Sequence, residues 1–208
     1  MRRFSTDKHK KYWQSRKIDW RSAYFDTWNH PHRFMLVEKL KRMKWDRLFE
    51  VGCASGPNLY LLYQHFPEKH FAGVDVNEEA IKTAKQLLQP KIYVGVQEAG
   101  DLYLGDNGTD VILTDMTLIY IDPSKIHQTI KEIYRAAKKY ILFCEFHSNS
   151  FFKRWGLRLA TGYNAYDYER LLEKHGFREI EIEKIPEEKW PGGEPQKTFG
   201  YIISAIKI

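Results

Sequence analysis

Cysteine is scarce in this chain, with two in 208 residues, Cys53 and Cys144. That excludes a disulfide framework, and neither residue stands in a spacing that ligates a metal, so no metal site is expected and both read as small buried residues. Long apolar runs are missing too. None approaches the roughly 20 residues of a membrane span, and Met1-Arg2-Arg3 is followed by polar residues in place of a signal-peptide apolar segment. A soluble, cytoplasmic protein is the expectation. There are no internal repeats or low-complexity tracts, and 208 residues at 43% hydrophobic suffice for one well-buried core but not for two ordinary domains. One domain over 1–208 is expected.

Acidic residues are thin at the start of the chain. Residues 1–44 hold 4 Asp/Glu against 13 Lys/Arg, and the remainder holds 23 against 20, so all of the net charge of +6 comes from the N-terminal segment. Such asymmetry fits an anionic partner, either nucleic acid, a membrane surface or a phosphorylated or carboxylated substrate, and equally a solvated helix face.

What is present is concentrated in Leu48-Phe49-Glu50-Val51-Gly52-Cys53-Ala54-Ser55-Gly56-Pro57-Asn58. An apolar run ends in a carboxylate, crosses a loop of small residues and enters a helix with proline in its first turn. Gly52 and Gly56 allow conformations that a Cβ forbids and let a ligand lie against the main chain. The spacing G-x-x-x-G, with Ala54 at the third position, lacks the second glycine through which G-x-G-x-x-G approaches a pyrophosphate, and no Gly-Lys-Ser/Thr follows. Glu50 would repel a phosphate and attract an amine. Asp75 ends a second apolar run nineteen residues beyond Gly56, where an acid can accept both hydroxyls of a ribose. These residues describe a ligand with a ribose, an amino group and no pyrophosphate.

Here the sequence resembles the class I, Rossmann-like S-adenosylmethionine-dependent methyltransferases, well over residues 45–145 and loosely elsewhere. The resemblance implies that S-adenosyl-L-methionine is the cofactor. It implies that Glu50, Gly52, Cys53, Ala54 and Gly56, with Asn58, hold its methionine part, that Asp75 binds the ribose, and that Val76 and Asn77 flank the adenine. The family usually has glycine where this chain has Ala54, read here as tolerable crowding. An acid followed by a small residue meets the adenine amino group. Glu98-Ala99 suits the strand register, with Asp101 as the second choice.

Apolar runs and helical periods alternate as in a doubly wound, mostly parallel sheet. Leu59, Leu62, Tyr63 and Phe66 form one helical stripe, and Asn77 is placed to cap the next helix, whose buried face is Ile81, Ala84 and Leu88. Further strands are expected at 92–96, 111–114 and 140–144, with Asp122-Pro123 opening the helix between the last two. A final helix at Tyr168–Leu172 precedes a hairpin of 180–185 and 199–206. Seven strands with a C-terminal antiparallel hairpin and an N-terminal helical extension make up the expected α/β fold. In that extension, residues 8–44 read as two helices broken near Asn29-His30-Pro31-His32. Trp13, Trp20, Tyr24, Phe25 and Trp28 suggest either a lid over the carboxyl ends of the strands or a helix pair packed on the back of the sheet.

Methyl transfer is an in-line displacement and mainly requires collinear positioning. By the resemblance, Thr114, Asp115 and Met116 after the fourth strand, and Tyr120 beyond, border the methyl group, while Glu145, Phe146 and His147 face the same cleft. A hydroxyl nucleophile would need a proton acceptor, for which His147 or Asp115 is a candidate. Tyr24, Trp28 or Tyr120 could attract the sulfonium. Thr114-Asp115-Met116-Thr117 lacks the Pro-Pro-aromatic of adenine or glutamine amide methylases, and no cysteine suits C5 methylation of a base. Three functions follow: transfer to O or N of a small, anionic or sugar-like acceptor; an RNA or protein methyltransferase using the basic segment; and a non-catalytic cofactor-binding partner subunit. The acceptor and the oligomeric state are not readable from these residues.

Overall fold

The computed structural model describes residues 8–190 and 192–208. The basic start Met1–Arg3 lies outside the described residues. The extension consists of α1 (Lys8–Ser15), the short α2 (Trp20–Ala23), a 3-10 turn at Phe25–Thr27 and α3 (Pro31–Lys41). The expected break before Pro31 is present, and a second falls between α1 and α2, where Asp19 caps α2 by accepting the Arg21 and Ser22 amides. The core follows as β1 (Arg47–Val51), α4 (Pro57–His65), β2 (His70–Asp75), α5 (Glu78–Leu87), β3 (Tyr93–Val96), β4 (Thr109–Asp115), α6 (Ile126–Ala136), β5 (Ala137–Phe146), α7 (Phe151–Thr161), α8 (Tyr168–Lys174), β6 (Phe177–Lys184), α9 (Glu194–Phe199) and β7 (Gly200–Lys207).

The seven strands form one sheet in the order β3-β2-β1-β4-β5-β7-β6. The first five run parallel, and β7 inserts antiparallel between β5 and β6. The order reverses between β1 and β4, whose registers align Val51 with Thr114. At such a switch point the loops leaving two adjacent strands diverge and open a crevice at their carboxyl ends. Each face of the sheet carries its own core. Leu36, Leu40, Leu59, Leu62 and Ile81 close one side, and Ile130, Ile133, Leu172 and Phe177 close the other. The stripes of α4, α5 and α6 thus pack as their 3.6-residue periods require.

Two local expectations are corrected. Helix α6 starts at Ile126, not at Asp122-Pro123, because the Asp122 carboxylate accepts the Ser124 amide and closes a separate turn first. Helix α7 was not expected at all. Its only buried side chain is Leu157, so it lacks the apolar stripe by which a core-facing helix is recognised in sequence.

Candidate functional site

Backbone geometry shapes the loop after β1. Gly52 and Gly56 have φ of 79° and 85°, and a Cβ on Gly52 would come within 2.0 Å of Thr117 Oγ1. Ala54 also has positive φ, 47°. Glycine is favoured at that position because of its left-handed conformation, not because of crowding, and alanine there costs about 1–2 kcal/mol. Asp75 holds the strained residue in place. Its Oδ2 accepts the Ala54 amide at 2.9 Å and its Oδ1 the Asn77 amide at 2.9 Å. Burial raises the Asp75 carboxyl above its ordinary range, against the opposing pull of these backbone donors.

Beneath the loop lies a buried polar cluster. Asn58, in the first turn of α4, donates to Glu50 Oε1 at 2.7 Å and to Asp115 Oδ2 at 3.1 Å. Arg33, in the first turn of α3, donates to Asn58 Oδ1 at 2.6 Å and to Asp115 Oδ2 at 2.9 Å, and is itself fixed by Thr27. His32 Nε2 lies 3.4 Å from Asp115 Oδ2, and its ring stacks on Trp190 at 4.6 Å. Two carboxylates here face one guanidinium, which decides their charges. Burial would lift the Asp115 carboxyl, but His32 and Arg33 beside it hold it well below the usual carboxylate range. Glu50 has the weaker share of that cation, and burial pushes it up to about 8. Its Oε2 is buried without a hydrogen-bond partner. A carboxyl buried in this way keeps its proton near neutral pH.

His32, Asp115 and Cys144 bring potential ligand atoms within 4.8 Å of one another. A metal there would meet the Arg33 guanidinium on the same Asp115 oxygen, and burial pushes the Cys144 thiol far up, so the cluster suits a metal poorly.

These groups line a cavity of about 600 Å³ at the carboxyl ends of the strands, within the range of small-molecule sites. Of the residues expected from sequence, Glu50, Gly52, Cys53, Ala54, Asn58, Asp75, Val76, Glu98, Ala99, Asp101, Asp115, Met116 and Tyr120 are in its wall. Gly56, Asn77 and Thr114 are not. Gly56 caps α4, and Thr114 is fully buried in β4. The Asn77 side chain caps α5 and donates to the Trp13 and Arg16 carbonyls, which ties the extension to the core.

The residues after β5 turn elsewhere. Glu145 accepts the Thr117, Leu118 and Ile119 amides and so fixes the loop after β4. Phe146 is buried against Leu157 and Ile119. His147 accepts the Tyr168 amide on Nδ1 and is outside the cavity wall. Trp28 packs on Tyr60, away from the cavity. Burial holds the Tyr120 hydroxyl far above its ordinary value, so it stays a neutral donor at physiological pH.

The extension supplies much of the wall, with Trp13, Trp20 and Tyr24 named by the sequence reading and His9, Lys10, His30, His32 and Arg33 missed by it. Trp13 meets Tyr120 at 4.9 Å, and Lys10 pairs with Glu98. Trp13, Trp20 and Tyr24 therefore turn toward the strand ends, whereas Phe25 and Trp28 pack on Tyr60. His32 and Arg33 carried no signal beyond the Pro31 that opens their helix. Trp190 and Gln196 reach the cavity from the loop between β6 and β7, and nothing in the spacing marks them.

Residues 48–140 match a family described as a methyltransferase domain. The chain is 29% identical over 97 residues to the carboxy-S-adenosyl-L-methionine synthase of Campylobacter fetus, covering 44% of this chain and 40% of the length of that enzyme. Among solved structures it is similar to an S-adenosylmethionine-dependent methyltransferase of Methanosarcina mazei, with a TM-score of 0.65, 19% identity and coverage of 82% and 97% of the two chains. It is also similar to the geranyl diphosphate C-methyltransferase of Streptomyces coelicolor, solved with S-adenosyl-L-homocysteine, with a TM-score of 0.68, 14% identity and coverage of 85% and 78%. A third is a phosphoethanolamine N-methyltransferase of Haemonchus contortus, likewise solved with S-adenosylhomocysteine, with a TM-score of 0.64, 15% identity and coverage of 85% and 52%.

Proposed function

We propose that this chain is a class I S-adenosylmethionine-dependent methyltransferase, a reading that its matched domain and its fold support, and that it transfers a methyl group to an oxygen or nitrogen of a small, anionic or sugar-like acceptor. The observation that carries the cofactor reading is the buried, cation-deficient Glu50 opposite Asp75 across a bare main-chain turn. Glu50 would take the cofactor's ammonium, Asp75 the ribose hydroxyls through its remaining lone pairs, and the backbone of Gly52–Ala54 the chain between them. Glu98 or Asp101 would meet the adenine amino group, and Val76 would lie on the ring. Bound there, S-adenosylmethionine supplies an electrophilic methyl carbon on a sulfonium.

The acceptor reading rests on the cavity's shape and its hydrogen-bonding groups. Lys10 and Arg33 in its wall are paired with Glu98 and Asp115, which leaves the imidazoles of His9, His30 and His32 to meet an oxygen-bearing acceptor. The inward turn of Trp13, Trp20 and Tyr24 favours a metabolite over a polynucleotide lying in an open groove. Calorimetry on the pure protein tests the cofactor half, and release of S-adenosylhomocysteine on adding a mixed metabolite extract tests turnover. No binding removes the reading. Binding without turnover in any extract supports a cofactor-binding subunit instead.

His32 takes the place of His147 as the proton acceptor for a hydroxyl nucleophile. With its Nε2–H directed to Asp115, the Nδ1 lone pair is free, and that atom is buried without a hydrogen-bond partner. His32→Gln is expected to lower turnover about a hundredfold or more while cofactor affinity changes by less than about threefold. Turnover close to that of the native protein would remove His32 from the reaction.

A further inference from the structure

Helix α7 carries four of the ten large apolar side chains that are exposed among the described residues. Phe151 is 63% exposed, Phe152 79%, Trp155 57% and Leu159 57%. At 100° per residue, positions 151, 155, 159 and 152 fall within one face, while Leu157 on the opposite side anchors the helix against Ile119 and Phe146. An aromatic cluster of this kind on a folded domain is costly in water and marks a contact. The charges on the helix itself are of one sign. The helix carries Lys153, Arg154 and Arg158, and no Asp or Glu occurs between Glu145 and Asp167. Helix α1 continues the same surface, because the His9 ring packs against Gly162 at the carboxyl end of α7. It contributes Lys8, Lys11 and an exposed Tyr12, again without an acid. Two acids beside these helices, Asp122 and Glu98, are paired with Arg158 and Lys10.

We propose that α7, with the outer side of α1, docks this protein on an anionic lipid bilayer surface. Phenylalanine, tryptophan and leucine on one face flanked by lysine and arginine are the composition of a helix lying in the plane of a membrane interface. Basic residues near an anionic surface add electrostatic attraction that salt screens. Charge selects this occupant over a second copy of the chain, since a two-fold contact on this face would set its basic rim against itself. No helix among the described residues is long and apolar enough to cross a membrane, so the association is peripheral and reversible. It places the α1 side of the cavity at the lipid surface. The proposal does not depend on the identity of the methyl acceptor.

The test is co-sedimentation of the full chain with phosphatidylcholine vesicles, with and without phosphatidylglycerol. The protein should pellet with the anionic vesicles and be released by salt. Phe152→Ser with Trp155→Ser should weaken that binding by about tenfold or more, and Lys11→Glu with Lys153→Glu should weaken it comparably. None of these side chains lines the cavity, so calorimetric affinity for S-adenosylmethionine should stay unchanged in both variants, which also reports folding. Absence of binding to anionic vesicles at low salt, or binding indifferent to both pairs of substitutions, overturns the proposal. So does a dimer in sedimentation velocity that the Phe152 and Trp155 substitutions dissociate, which would assign the face to a second copy.

Discussion

Replacing Asp75 with alanine is expected to weaken S-adenosylmethionine binding by about a hundredfold or more. Two ribose hydroxyls donating to a buried carboxylate are worth roughly 1.5–3 kcal/mol each, and every 1.4 kcal/mol is about tenfold in affinity. The same carboxylate anchors the left-handed Ala54 and the Asn77 amide, so alanine also loosens the turn on which the ligand lies. Asp75→Asn separates the two effects. It keeps an acceptor for one of the two backbone amides but sets a side-chain donor against the other, so it should lose less thermal stability than Asp75→Ala while still losing much of the affinity. Calorimetric titration of both variants against S-adenosylhomocysteine is the measurement. Affinity in Asp75→Ala within about threefold of the native value would place the ribose elsewhere.

Glu50→Gln should produce opposite effects on stability and on binding. The ordinary glutamate value is 4.5, and Glu50 is pushed up to about 8 by burial. Between those values the folded protein keeps a proton that the unfolded chain has released, so stability falls as pH rises through this window. Glutamine has no proton to release and retains an oxygen for the Asn58 amide. Without cofactor, the variant should therefore match the native protein below about pH 4.5 and exceed it by a margin that widens toward pH 8, on the order of a few kcal/mol. Cofactor affinity should respond in the reverse sense. The native protein must shed the Glu50 proton to pair with an ammonium, so its affinity should climb as pH rises toward 8. The variant should bind weakly and lack that climb. Thermal melts across this pH range and calorimetry at its two ends check both halves. A native-like fall of stability with pH in Glu50→Gln would show that another group carries the titration.

The variants also separate structural from chemical roles at the floor of the cavity. Asp115 is held ionised by Arg33 and His32, and breaking such a buried pair leaves an uncompensated charge. Loss of turnover in an Asp115 variant would therefore not identify a catalytic role. His32 is the more informative position, because its Nε2 serves the Asp115 contact and its Nδ1 serves none.

The sequence by itself determined the order of the strands and of α4, α5, α6 and α8, and the turn after β1. Those features are local. Strand period, helical stripes, the glycines at positive φ and the caps depend on residues a few positions apart, which is why Glu50, Gly52 and Asp75 could be singled out as candidates, and the structure brings them to one cavity. The sequence also carried the left-handed demand at Ala54, though the reason for it became visible only in the backbone angle. Only the tertiary structure decided which side chains share the cavity. Arg33 reaches Asn58 and Asp115 across 25 and 82 positions, and no periodicity encodes that distance. We place the proton acceptor at His32 because α3 is brought over the strand ends, while the chain after β5 spends Glu145 on fixing a loop and His147 on the Tyr168 amide. Helix α7 stayed hidden for the converse reason. Its apolar face meets no core, and a pattern that expresses burial cannot announce a helix whose aromatic residues point outward.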